Sequence, residues 1–179
     1  GSGGGGGVYV CKGGGAGKGG VGADHGSIVK VSKDGAKSWG SANGFRAPNG
    51  VTVKGDGTFF ASDQEGHWTP MNRINRVKRG GFYGNMMAYA PDRKDTSFDP
   101  PICWIHKNTD RSPAAQVWVK GRQWGALDGA MLSISYGTGR VWHVLHEIGR
   151  GDLMQGGIVR LPMPELPTGI HRARIHSGD

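Results

Sequence analysis

The sequence predicts an all-β fold built from short antiparallel strands, arranged as a propeller or a sandwich. Three observations lead there. First, glycine makes up 35 of 179 residues, whereas Leu occurs 6 times and Glu 3 times, which is poor material for helices. Second, short alternating runs recur at 27–32, 51–54, 58–62, 73–78, 102–106, 116–120, 130–135, 140–145, 157–161 and 171–176, about a dozen strands with the Gly-rich start included. Third, Lys33-Asp34-Gly35 and Gly55-Asp56-Gly57 stand between such runs. Asp-Gly is a strong hairpin signal, because Gly accepts the positive φ that tight turns require.

Residues 1–26 hold 14 of the 35 glycines and read as a linker or loop around one apolar island, Val8-Tyr9-Val10. The segment 12–20, KGGGAGKGG, departs from a phosphate loop. Lys12 stands where the first Gly belongs, and Gly19 follows Lys18 where Ser or Thr would hold magnesium. Residues 27–179 read as one strand-rich domain. Two Pro-rich stretches, 91–101 and 162–167, read as long loops between groups of strands.

Charge and cysteine content narrow the function. Lys and Arg exceed Asp and Glu by 22 − 14 = +8, but the basic residues are scattered and argue against a specific nucleic-acid site. No apolar run reaches the ~18 residues of a membrane-spanning helix. Cys11 and Cys103 are too few for a disulfide scaffold, although one bridge between them stays open. Each sits in an apolar run, where it fits as a small buried hydrophobe. His143-Val-Leu-His146-Glu147 is not a zinc-protease motif, since the two histidines of a strand at this spacing face opposite sides.

Three segments carry the candidate chemistry: GFRAPNG at 44–50, SDQEG at 62–66 and RINRVKRGGFYG at 73–84. The first enters a strand pair where the second leaves it. A guanidinium, Arg46, and a cluster of polar oxygens therefore share one rim. Such a rim suits an anion together with a hard cation such as calcium, which takes carboxylate, amide and backbone oxygens. His67, beside that loop, is placed to act as a base or a ligand. Trp68 is the aromatic best placed to stack on a sugar ring or flat cofactor. Arg172 and Arg174, at i and i+2 of a strand, face one side and suit a polyanion.

In this order, the motifs resemble the soluble quinoprotein glucose and sorbosone dehydrogenase-like propellers. The resemblance is nearer still to propeller modules of large dehydrogenases of planctomycete-type bacteria. It covers roughly residues 26–179, including QVWV (116–119), QWG (123–125) and LSISYG (132–137). It implies a six-bladed β-propeller of four-stranded blades, about three of them in this chain. Pyrroloquinoline quinone (PQQ) and calcium are the implied cofactors, and a carbohydrate or polyol is the implied substrate. Arg46, Asn49, Arg172 and Arg174 then fall on the cofactor side. Asp63, Gln64, Glu65 and Gly66 fall on the calcium loop. Ala47 stands where the family carries Asn, and 135–139 offers no cofactor lysine. The implied setting is the periplasm or cell envelope, with the remaining blades supplied by more chain or by a partner. The alternative reading is a non-catalytic propeller module that binds carbohydrate or a protein partner.

Overall fold

A computed structural model describes residues 2–3, 7–14, 24–86 and 97–176. The described chain forms three sheets. The first holds β1 (Ser2–Gly3), β2 (Gly7–Lys12), β3 (Ser27–Ser32) and β4 (Ser38–Asn43), paired in sequence order and antiparallel. The second holds β5 (Pro48–Val53), β6 (Phe59–Asp63), β7 (Asn72–Val77) and β9 (Cys103–Ile105). A two-residue strand, β8 (Gly81–Phe82), leaves this series and pairs parallel to β4. The third sheet holds β10 (Pro113–Trp118), β11 (Met131–Ser135), β12 (Val141–Ile148) and β13 (Met154–Arg160). Three successive four-stranded antiparallel meanders are the blades of a partial β-propeller. Helical structure among the described residues is limited to two 3-10 turns, Arg122–Leu127 and Arg150–Asp152.

The blades stack face on face, as the residue pattern of β6 shows. Phe60 joins Ile74, Ile105, Met131 and Val144 in a core between the second and third sheets. Its neighbour Ala61 points the other way, into a core with Ile28, Phe45 and Tyr83 of the first. Side chains alternate across a strand, so a central strand with apolar residues on both faces can only sit between two layers.

The strands that open the second and third blades approach closely at Gly50. Gly50 has φ +63°, and a Cβ there would fall 2.3 Å from the backbone of Ala114 and Ala115. Both β5 and β10 break register at this level. Ser62 closes the seam, its Oγ 2.8 Å from the Ala114 carbonyl.

The sequence expectations need four corrections. Gly7–Lys12 is a strand of the first blade, pairing with β3 along its whole length, not part of a linker. Lys12 to Gly14 is also described, whereas 15–23 lies outside the described residues. Strand β4 was not expected from its polar, Gly-containing sequence. The stretch 91–101 lies inside the second blade, on the way from β7 to β9, and 91–96 falls outside the described residues. The segment 171–176 is not a ladder strand, although the His171 carbonyl accepts the Ala115 N–H at 3.2 Å. The two cysteines are free, which closes the disulfide alternative. Burial pushes the thiols up, to about 12 for Cys11 and about 11 for Cys103.

Candidate functional site

The β5–β6 hairpin builds the rim. Its Asp-Gly turn closes with Gly57 N–H donating to the Lys54 carbonyl and Lys54 N–H to Thr58. A register shift between Asn49 and Thr52 then brings Pro48 opposite Asp63 at the far end. Asp63 is fully buried and never faces solvent. Its carboxylate accepts the backbone N–H groups of Arg46 (3.1 Å) and Ala47 (2.7 Å). It also pairs with the buried Arg73 guanidinium at 2.6 Å. Arg73 in turn lies over the Trp104 ring, 5.5 Å from its centroid. The ion pair therefore pins the loop that carries Arg46.

Arg46 crosses the rim toward Gly66. A Cβ on Gly66 would stand 2.3 Å from Arg46 Nε, so the guanidinium lies against bare backbone. Arg46 Nη1 approaches Gln64 Oε1 at 3.5 Å, and Gln64 Nε2 donates to Ser112 Oγ at 2.7 Å. Beyond Gly66 the chain makes a tight turn. The Gly66 and Thr69 backbones exchange hydrogen bonds at 2.9 Å each way. His67 and Trp68 form its exposed tip. Trp68 has φ +62° and Ser112 φ +52°. Two non-glycine residues in the left-handed region flank one rim, and backbone strain of this kind collects at ligand sites.

Arg172 and Arg174 follow His171, whose ring lies 4.7 Å from that of Tyr136, and the Tyr136 N–H donates to the Ser112 carbonyl. The two arginines line an open groove of about 730 Å³ along β5 and β10, together with Lys54, Lys120, Gln116 and Trp118. Arg46 and Gln64 are not among its walls. Lys54 Nζ sits 4.5 Å from the Trp118 ring centroid and 3.5 Å from Asp56. Asn49 turns back on its own chain, its Oδ1 accepting the Gly50 N–H at 2.9 Å.

The donor sets differ in what they fit. For a planar polyanion the groove fits well. Four cations line it, Lys54, Lys120, Arg172 and Arg174. For calcium the loop does not fit in this conformation. Asp63 is committed to Arg73 and two N–H groups, and the Gly66 carbonyl to Thr69 N–H. Gln64 Oε1 faces a guanidinium, and the Glu65 N–H donates to Asn72 Oδ1. No cluster of three His, Cys, Asp or Glu side chains gathers among the described residues.

Comparison by sequence finds no matching family model and no matching curated protein. Solved structures do match. The PQQ-bound form of aldose sugar dehydrogenase from Streptomyces coelicolor superposes with a TM-score of 0.55 at 16% identity, over 76% of this chain and 39% of that one. The chain has the fold of the soluble quinoprotein glucose dehydrogenase type. Two glucose dehydrogenase structures agree. One gives a TM-score of 0.57 at 14% identity, over 77% of this chain and 44% of that one. The other gives 0.55 at 13% identity, over 78% and 45%. The chain therefore spans less than half the length of these propellers.

Sequence reasoning missed two contributors to the rim. Ser112 starts no motif and is found only through its contact with Gln64. Arg73 was visible inside RINRVKRGGFYG, but without a role. A charge at an alternating position of a strand otherwise buried on both faces was the available signal.

Proposed function

We propose that this chain is the cofactor-bearing part of a quinoprotein-like dehydrogenase propeller that oxidises a sugar or polyol. The observation that supports it most is the groove, where four cations line a space of about 730 Å³. PQQ, a planar tricarboxylate, matches that chemistry, and a solved protein of the same fold holds it. In this reading Arg172 and Arg174 bind the carboxylates. Bound there, the quinone supplies the two-electron acceptor for a hydride. In the same reading Arg46 and Asn49 complete the cofactor side. Trp68 offers a flat apolar face to a sugar ring. His67, at the same turn, is the residue available to take the hydroxyl proton. No step is assigned to calcium, although Gln64, Glu65 and Gly66 remain the place to look for it. The setting proposed is the periplasm or cell envelope, with the remaining blades completing the barrel of the propeller. No helix among the described residues is long and apolar enough to cross a membrane.

Ala47 in place of the family Asn, and the lack of a lysine at 135–139, favour a second reading. That reading is a propeller module that binds carbohydrate or a protein partner without chemistry.

The test is a titration with PQQ, with and without added calcium, read by absorbance and tryptophan fluorescence. Saturable binding that falls at least tenfold in Arg172→Ala/Arg174→Ala is the expected result. Turnover of sugars with an artificial electron acceptor, lost in Arg46→Ala, completes it. Cofactor binding that is indifferent to both arginines, or loaded protein that oxidises no sugar, sinks the dehydrogenase reading.

A further inference from the structure

A second cavity, of about 310 Å³, lies between the first and second blades. It is remote from the rim. Asp63 pairs with Arg73 at one end of the β6–β7 ladder, and Phe59 pairs with Val77 at the other. Four residues of rise put these ends roughly 13 Å apart. Gly57, Phe59, Val77, Lys78 and Arg79 of the cavity wall all belong to the second end.

The lining has two components. Tyr9, Trp39 and Phe59 supply rings, with Tyr9 and Phe59 4.7 Å apart between centroids. Lys30, Lys78 and Arg79 supply three cations, and no carboxylate lines the space among the described residues. Lys30 Nζ stands 5.5 Å from the Tyr9 ring centroid and 5.6 Å from that of Trp39. The ammonium is therefore held against two π faces at the cavity wall. The turn bearing Lys78 and Arg79 is anchored from below. The Lys78 N–H donates to the Tyr83 hydroxyl, and that hydroxyl donates to the Arg76 carbonyl, both at 2.8 Å. Trp39 is 38% exposed, so one of its surfaces is open to a ligand.

From these observations we infer that this cavity binds an anionic sugar, its ring against Trp39 and its acidic group among Lys30, Lys78 and Arg79. Three cations without a lining carboxylate select an anion. Rings beside them select a ligand with a flat apolar surface, and aromatic side chains present such a surface to a pyranose. The volume suits one or two sugar rings. A carboxylate and a phosphate share this chemistry, so a uronate and a sugar phosphate are both candidates. Neither Arg46 nor the Arg172–Arg174 pair takes part, and the inference does not rest on the dehydrogenase reading.

The probes are glucuronate, glucose 6-phosphate and neutral glucose, titrated at low salt into the full chain and read by tryptophan fluorescence and calorimetry. Saturable binding of one or both anions, at least tenfold tighter than glucose, is expected, and the tighter of the two identifies the acidic group. Added 0.5 M NaCl should weaken it, because exposed cations are screened. Trp39→Ala and Lys30→Met should each cost tenfold or more, and so should Lys78→Gln/Arg79→Gln, whose exposed side chains leave folding intact. Equal affinity for glucose and the anions overturns the inference. Anion binding that survives Lys78→Gln/Arg79→Gln overturns it too, as does the absence of saturable binding in protein with an intact melting transition.

Discussion

Asp63 and Arg73 face each other across the β6–β7 pair, 2.6 Å apart, both buried, and together they hold the backbone of Arg46 and Ala47 in place. A buried ion pair contributes little net stability, yet removing one partner strands the other charge. Asp63→Asn should therefore destabilise the fold by about 3–5 kcal/mol, whereas Asp63→Asn/Arg73→Met should recover much of that loss. Urea unfolding of the wild type, the single variant and the double variant measures both. A double variant no more stable than the single one would show that the carboxylate matters chiefly as a cap for the two N–H groups.

Trp68 combines a left-handed backbone with an exposed ring, at φ +62° and 59% exposure. A non-glycine residue in this region carries strain of about 1–3 kcal/mol, and such strain persists where function uses the side chain. Trp68→Gly should raise the melting temperature by about 2–12 °C, given the ~2–4 °C per kcal/mol of a chain this size. The same variant should weaken sugar binding at the rim. Loss of stability instead would mean that the ring packs on something that its exposure does not reveal.

The blade order and the rim were legible because they rest on local signals. The Asp34-Gly35 and Asp56-Gly57 turns announced hairpins, and the alternating runs between them announced strands. A turn at one end of β5–β6, with the register shift between Asn49 and Thr52, places residues 46 and 64 together at the other. The rest depends on distance. β4 is Ser-Trp-Gly-Ser-Ala-Asn, half-exposed and polar, so only its pairing with β3 defines it. Gly7–Lys12 looked like linker because its neighbours are glycines, and β3 supplies the ladder that orders it. Asp63 read as a metal ligand because an acid beside Gln and Glu looks solvated. Its partner Arg73 is ten residues away across a ladder, and spacing alone does not show which face either side chain takes.

Asp110 offers a pH test. It is buried, and its Oδ2 has no partner, while Thr138 Oγ1 donates to Oδ1 at 3.0 Å. Burial pushes the carboxyl up from its ordinary value of 3.8. The folded state then holds a proton that the unfolded state releases, so this group costs stability as pH rises above 3.8 through its folded value. The melting temperature of Asp110→Asn relative to wild type should therefore climb across that window and level off above it. A difference that is flat with pH would mean that the carboxyl ionises as easily in the fold as outside it. Asp152 and Glu165 run the opposite way, lowered by hydrogen bonds from Arg76 and Arg140, but they are exposed and their effect is screened.

The close approach of β5 and β10 can be tested at one atom. Gly50 combines φ +63° with a space in which a Cβ would lie 2.3 Å from the Ala114 and Ala115 backbone. Both neighbours are main chain in the middle of strands, so nothing flexible can move aside. Gly50→Ala must therefore either push the second and third blades apart or abandon the bulge that lets β5 pair with β6. Either route opens the core around Phe60 and Met131 and breaks the seam that Ser62 closes onto Ala114. Overpacking of this kind costs about 1–3 kcal/mol, and the positive φ adds about 1 kcal/mol more. A fall in melting temperature of roughly 5–15 °C follows for a chain of this length. Gly57→Ala is the control, because Gly57 has φ +87° but open space around its Cβ position. It should cost only the backbone term. Comparable losses in the two variants would place the whole effect in the dihedral and leave the blade contact without energetic weight.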